Sequence, residues 1–280
     1  MFTINPFSEL SELIPSTIQQ IYVIAMAILV VGGTALDVMH KASGKYFSEN
    51  WKKSKKNAVR NVGSGEMVAM AVKTGLGEVM TSSEFANVRR RISHLFTMYG
   101  FILFIVTTVI MVFVYGGADA STPAIWPLLW HLGALSLCFG GYWFWFAIRV
   151  DVSAEGKPWY KLCRADIFIL SLLATATFGL IWSFMQSVDA GVWEILFLAL
   201  FIVASTVLFG TVLWSKFAHM FFKPAAAFQK RVTKADGSAE NLPVLTRDDP
   251  EQRARHSMSL LVDAPMDMGL GIKREAPRHY

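Results

Sequence analysis

Cysteine is almost missing from this chain. Cys138, inside an apolar run, and Cys163, beside a basic loop, are the only two. An iron–sulfur cluster draws on about four thiolates, so this chain's own cysteines cannot hold one. The same shortage excludes a cysteine-built zinc site and a disulfide framework. Charge is scarce as well, at 17% of residues against 54% hydrophobic, where a soluble domain carries about 25%. The sequence also lacks a glycine-rich phosphate loop, a zinc-ligand constellation and a Ser/His/Asp set, so it is expected to be a non-catalytic or quinone-reactive subunit. No apolar run holds paired charges near its middle, which argues against a transporter. The opening MFTINPFSELSELIPST has no positive n-region of the secretory kind, so the first apolar run is expected to be retained.

What the sequence has instead is long apolar runs. They predict an all-α integral membrane bundle of five helices, at about 19–39, 93–115, 124–148, 165–186 and 192–219. About twenty residues at ~1.5 Å each suffice for the ~30 Å hydrocarbon core. Residues 1–18 are expected as a polar lead, 19–224 as the membrane domain, and 225–280 as a polar, proline-punctuated tail too small for a large core of its own. Basic residues follow helices one, three and five. The connection 41–93 alone holds seven lysines and four arginines against four glutamates, while the GGADASTP and SVDAG loops hold no basic residue. By the positive-inside rule the N-terminus is expected outside and the basic loops and tail in the cytoplasm.

Two histidines stand out against this pattern. His94 lies three residues beyond Arg91, where Arg89-Arg90-Arg91 meets LFTMYGFILFIVTTVIMVFVYG. His219 closes Trp214-Ser215-Lys216-Phe217-Ala218-His219, four residues before Lys223. Both are therefore expected at one depth, on the cytoplasmic side. A histidine at the rim of a span costs free energy unless something uses it, and two at equal depth on separate helices suit the axial positions of a b-type haem. Arg90, Arg91 and Lys216 could pair with the propionates, although membrane anchoring explains them equally well. His131, amid Trp126, Trp130, Tyr142, Trp143 and Trp145, could hydrogen-bond a quinone carbonyl or reach headgroup water from an aromatic belt. His40, with Asp37 at the end of helix one, could deliver protons to a quinone or simply be solvated. Gly32-Gly33, Gly140-Gly141 and Gly179 suit close helix packing. Lys52-Lys53-Ser54-Lys55-Lys56 suits anionic lipid or an acidic partner.

Three segments carry a family resemblance. Ala165-Asp166-Ile167-Phe168-Ile169-Leu170-Ser171-Leu172-Leu173, ending in Phe178-Gly179-Leu180, resembles the fourth helix of respiratory nitrate reductase gamma subunits. Arg91-Ile92-Ser93-His94 is similar to the helix-two motif of that group of five-helix cytochrome b proteins. Ser215-Lys216-Phe217-Ala218-His219-Met220-Phe221-Phe222-Lys223-Pro224 is similar to its closing motif. The resemblance spans about residues 89–224 and implies that His94 and His219 ligate one b-type haem. Where relatives place two further histidines for a second haem, this chain has Phe104 and Phe201, so neither that haem nor its quinol site carries over. The tail from Gly269 to Tyr280 looks most like that of the adenylylsulfate reductase membrane anchors. That likeness implies a multi-pass subunit of the bacterial cytoplasmic membrane. It would pass electrons between a cytoplasmic iron–sulfur/flavin oxidoreductase, which interconverts sulfite plus AMP with adenylylsulfate, and the quinone pool. A haem-free anchor that docks the enzyme through the basic loop and tail is the other reading of the same residues.

The charge pattern predicts a topology directly. A reporter fused to the C-terminus should report cytoplasmic and one fused to the N-terminus external; the same side for both would refute five crossings.

Overall fold

A computed structural model of the chain describes residues 1–40, 43–83, 85, 87–152, 155–214, 217 and 219–238, except for the side chains of Ser43, Glu78, His219 and Phe221. All regular structure among them is helical: α1 (Pro6–Leu10), α2 (Ser16–His40), α3 (Ser43–Lys56), α4 (Ser64–Lys73), α5 (Val88–Phe113), α6 (Ile125–Trp143), α7 (Ile167–Ser187), α8 (Val192–Gly210) and α9 (His219–Ala235). A π-helical turn, Thr74–Met80, follows α4, another, Phe144–Ile148, continues α6, and a 3-10 turn, Arg164–Asp166, leads into α7. Five helices are long and apolar enough to cross a membrane: Ser16–His40, Val88–Phe113, Ile125–Ile148, Arg164–Ser187 and Val192–Gly210. The chain divides into two compact units, Met1–Gly44 with Leu76–Pro224, and Lys45–Gly75 with Ala225–Tyr280.

The first unit is built on a seam between α5 and α6. A Cβ added to Gly100 would lie 2.5 Å from the Leu137 nitrogen, one on Gly133 2.8 Å from the Phe104 nitrogen, and one on Gly140 2.6 Å from the Ser93 oxygen. Only glycine permits backbones to approach this closely, and small residues at the interface are the usual means of tight packing between apolar helices. The Ser93 hydroxyl crosses the seam and donates to the Gly140 carbonyl at 2.8 Å. On the other side of the bundle α7 packs on α8, and Gly179 leaves room there for the Phe201 ring. Helix α2 is the least enclosed, with only 6% of its apolar window buried. It is fastened to α8 by Tyr22, whose hydroxyl lies 2.8 Å from Ser205 Oγ and donates to Ile202 O at 3.1 Å. Ile21, Ile28, Val31 and Leu36 are exposed, a surface suited to lipid rather than to water.

Aromatic rings fill the interior of the bundle. Trp130 and Trp182 are fully buried. Phe104 lies 4.9 Å from Trp130, and Phe201 stacks on Trp182 at 5.6 Å. Phe7 stands edge-on to both tryptophans, at 5.8 and 5.6 Å. Phe7 belongs to the segment expected as a polar lead, which therefore differs from the expectation. Asn5 caps α1 through Phe7 N at 3.0 Å and donates to Tyr115 O at 3.0 Å. Gln19 donates to Phe7 O and Ile14 O, and Gln186 donates to Pro6 O. With its peptide groups satisfied by side chains, the segment can bury Phe7 and Leu10 as a plug.

The fifth apolar run also departs from expectation. A helix over 192–219 would place Phe209 and Phe217 about 12 Å apart along its axis, yet their rings are 6.1 Å apart. The α-helix stops at Gly210, and Phe217 folds back to meet Phe101, Phe168 and Phe209. Burial of that ring, on a chain already weakened by glycine, outweighs continuing the helix. His219 consequently opens α9 instead of ending α8.

Arg149 organises the loop between α6 and α7. It is 1% exposed and donates to Pro158 O and Lys161 O at 2.9 Å each and to Asp166 Oδ2 at 2.5 Å, with Trp145 4.0 Å from its guanidinium. In the second unit Trp51 stacks between Phe47 and Phe228, each at 6.3 Å. Val59 N and Arg60 N donate to Asp236 O at 2.9 and 3.1 Å. The Arg60 guanidinium also grips Glu66 and holds that carboxyl below its usual range.

Two glycine substitutions test the seam. Gly100→Ala meets backbone that cannot move aside and should cost about 1–3 kcal/mol or more. Gly32→Ala, with nothing within 4 Å, should be neutral or stabilising by up to about 1 kcal/mol. Thermal unfolding in detergent would show the contrast, and equal melting temperatures for the two variants would refute the seam.

Candidate functional site

The α5–α6 seam sets the direction of the residue beside it. With Ser93 locked against Gly140, His94 is turned about 100° away and meets the chain that precedes α5. That chain, residues 76–83, forms a strap over the start of the helix. Three α5 side chains hold three consecutive strap residues. The Tyr99 hydroxyl donates to Met80 O at 2.6 Å, Arg91 Nε donates to Thr81 O at 2.7 Å, and His94 Nδ1 lies 3.0 Å from Ser82 Oγ. Ser82 is 1% exposed and has φ +49°, a left-handed conformation uncommon outside glycine, asparagine and aspartate. Phe85 N returns to Ser82 O at 3.2 Å, closing the turn.

Phe85 joins this strap to the end of the membrane unit. Its ring centroid is 5.0 Å from that of His94. Lys223 Nζ lies 5.0 Å from the Phe85 centroid and the Arg90 guanidinium 5.6 Å from it, both within cation–π range. Lys223 follows His219 by four residues, about one turn of α9. The two histidine-bearing segments, well over a hundred residues apart in sequence, therefore meet around one aromatic ring.

The residues singled out by sequence fare differently. Arg90 pairs with Glu155 at 2.8 Å, and Arg91 is committed to the strap. Lys216 lies outside the described residues, and of His219 only the backbone is described. His131 does not reach the surface. It is fully buried, with Nδ1 2.7 Å from Pro127 O and Nε2 2.9 Å from Ser183 Oγ, beneath the Phe2 ring. His40 is exposed at the end of α2, whereas Asp37 one turn earlier is buried. Ser82, Phe85 and Tyr99 went unnoticed in the sequence. The Thr81-Ser82-Ser83 cluster signals only a turn, and nothing local says what the turn covers.

Comparison with protein-family models, curated proteins and solved structures gives no match.

The arrangement can be tested for fit to an imidazole-ligated haem. Metal-bound histidines ordinarily donate their second ring N–H to an oxygen acceptor, which fixes tautomer and ring orientation; Ser82 Oγ is placed for that at His94. Arg90 and Lys223 lie over the Phe85 ring rather than on the imidazole itself, and Arg90 is already paired with Glu155. No three His, Cys, Asp or Glu side chains converge as a metal site among the described residues, but a haem iron takes only its axial ligands from the protein. Of the two axial ligands expected, the described side chains supply only His94.

Removing one strap bond should loosen the strap without unfolding the bundle. Tyr99→Phe loses an interaction of about 1 kcal/mol, which amounts to roughly fivefold faster amide exchange over residues 76–83. Mass-spectrometric hydrogen exchange would measure this, and an unchanged rate there would show that Tyr99 does not pin the strap.

Proposed function

We propose that the chain is a multi-pass subunit of a bacterial cytoplasmic membrane. It holds one b-type haem between His94 and His219 and relays electrons between a cytoplasmic iron–sulfur/flavin oxidoreductase, of the adenylylsulfate reductase type, and the quinone pool. The N-terminus faces outward; the basic loops and the tail 225–280 face the cytoplasm, where the tail docks the enzyme. The observation that carries the reading is the convergence of the His94 and His219–Lys223 segments at Phe85. A pair of equal-depth histidines is of use to a haem only if their segments meet.

The haem, when bound, supplies one-electron transfer, which needs no substrate pocket. The residues of this chain do the remaining work. Ser82 holds the imidazole of His94, and Lys223 brings a positive charge to the Phe85 ring that packs on it. The proposal stops at one haem because Phe104 and Phe201 are packed into the ring cluster around Trp130 and Trp182. His131, with both nitrogens bonded inside the chain, supports a structural role more than contact with a quinone. The haem-free anchor draws on a specific observation too, since Glu155 and Thr81 O already account for Arg90 and Arg91.

A reduced-minus-oxidised absorbance spectrum of the chain purified from its native membranes separates the two readings. We expect a low-spin b-type spectrum from one haem per chain, lost in His94→Ala and in His219→Ala and retained in His131→Asn. A chain without haem would leave the anchor.

A further inference from the structure

Arg149 is buried, yet the two residues it frames are not. Its guanidinium donates at 2.9 Å each to the carbonyls of Pro158 and Lys161, and Lys161 N returns to Pro158 O at 3.1 Å. This closes a turn with Trp159 and Tyr160 at its corners, 55% and 69% exposed. Rings of that size ordinarily contribute by burial, so a braced turn that holds two of them outward calls for something to receive them. The rings also continue a line. Leu128, Leu132, Leu135, Phe139, Tyr142 and Phe146 are all exposed and recur every three or four residues, one stripe along α6 and its π-helical extension. From Leu128 to Phe146 the stripe is about 27 Å long, close to the ~30 Å of a hydrocarbon core. Tyr142 stacks on Phe146 at 6.1 Å, Phe146 meets Trp159 at 6.3 Å, and Trp159 meets Tyr160 edge-on at 5.7 Å. The turn therefore stands at the end of the stripe, at the depth where tryptophan and tyrosine collect in membrane proteins.

We propose that the Pro158–Lys161 turn is a binding surface for the headgroups of anionic phospholipid in the surrounding bilayer. Charge supplies the second half of the argument. Lys157, Lys161 and Arg164 are exposed and pair with no carboxylate among the described residues. Against them the loop sets only Asp151, since Asp166 and Glu155 are taken up by Arg149 and Arg90. An indole at the boundary lays its ring against acyl chains and turns its N–H to a phosphodiester. Each neighbouring cation adds attraction to an anionic headgroup. An acidic protein surface would satisfy the cations too, but it gives no account of rings that continue a lipid-facing stripe. Arg149 acts from behind, fixing the turn so that its rings need not be ordered on binding. The inference rests on the membrane-spanning part of the reading above and is independent of the haem.

The test places the full chain in nanodiscs of equal phosphatidylcholine and phosphatidylglycerol, with brominated acyl chains on one lipid or the other. Bromine quenches indole fluorescence on contact, and the emission of wild type minus that of Trp159→Phe isolates Trp159. It should be quenched in both mixtures, and about twofold or more strongly when phosphatidylglycerol carries the bromine. That preference should vanish in Lys157→Gln/Lys161→Gln/Arg164→Gln. It should vanish also in the wild type at about 1 M NaCl, which serves if the triple variant fails to insert. Equal quenching by the two lipids would overturn the anionic-lipid site. The exposed Trp193 at the start of α8, isolated in the same way by Trp193→Phe, is the control. Quenching of Trp193 without quenching of Trp159 would overturn the lipid assignment and point to a protein partner on the turn. If neither responds, the membrane reading fails with it; the haem spectrum enters none of these outcomes.

Discussion

The contact of α5 with α6, backbone against backbone, is the constraint on which the rest of the membrane unit depends. Between apolar helices in lipid there is little hydrophobic gain in association, so close packing and buried hydrogen bonds must hold them. Gly100, Gly133 and Gly140 allow the approach, and Ser93 spans it. Because a helix is rigid, fixing Ser93 against Gly140 also fixes the azimuth of every other residue at that end of α5. His94 cannot face α6, so it faces the strap, with Arg91 three residues before it and Tyr99 five residues after it holding the same strap. The site geometry is a by-product of how two helices touch.

The aromatic interior has a different logic. Trp130, Trp182, Phe104, Phe201 and Phe7 interlock largely in edge-on or tilted arrangements, which suit ring quadrupoles. Such a cluster needs few polar partners, and that suits a region where polar groups are expensive. The exceptions are handled locally: His131 is satisfied by Pro127 O and Ser183, and Trp130 Nε1 donates to Thr108 at 2.9 Å. Most other buried hydroxyls donate to a carbonyl one turn back on their own helix, as Thr107, Thr175 and Ser205 do, while Trp182 Nε1 has no hydrogen-bond partner among the described residues.

How far the sequence discloses this structure follows from the range of each signal. Apolar length is a local property, so the five long helices are legible, with ends to within about five residues except where α8 stops at Gly210. His94 is legible as an oddity because charge and hydropathy change abruptly beside it. The plug at Phe7 is not, since MFTINPFSELSELIPST looks polar until its carbonyls are seen to meet Gln19 and Gln186. The end of α8 is hidden for a similar reason. The run continues apolar past Gly210, and only the distant rings of Phe101 and Phe168 show why Phe217 turns back. Arg149 reads as one loop cation among several, yet it is the buried hub of that loop, and Asp166, which neutralises it, lies seventeen residues on. Ser82 is the extreme case, because its meaning depends on a single atom of one residue on the next helix.

The interruption after Gly210 also bears on how such a chain tolerates change in length. In an unbroken helix, one inserted residue rotates everything beyond it by about 100° and would swing a residue at 219 off any partner. Here α8 ends at Gly210 and α9 begins at His219, with Phe217 anchored between them, so the two helices need not share one register. An insertion or deletion ahead of Phe217 can be absorbed in the connection while the ring keeps its place. The spacing between the end of α8 and Lys223-Pro224 is thus less constrained than it would be in one continuous helix.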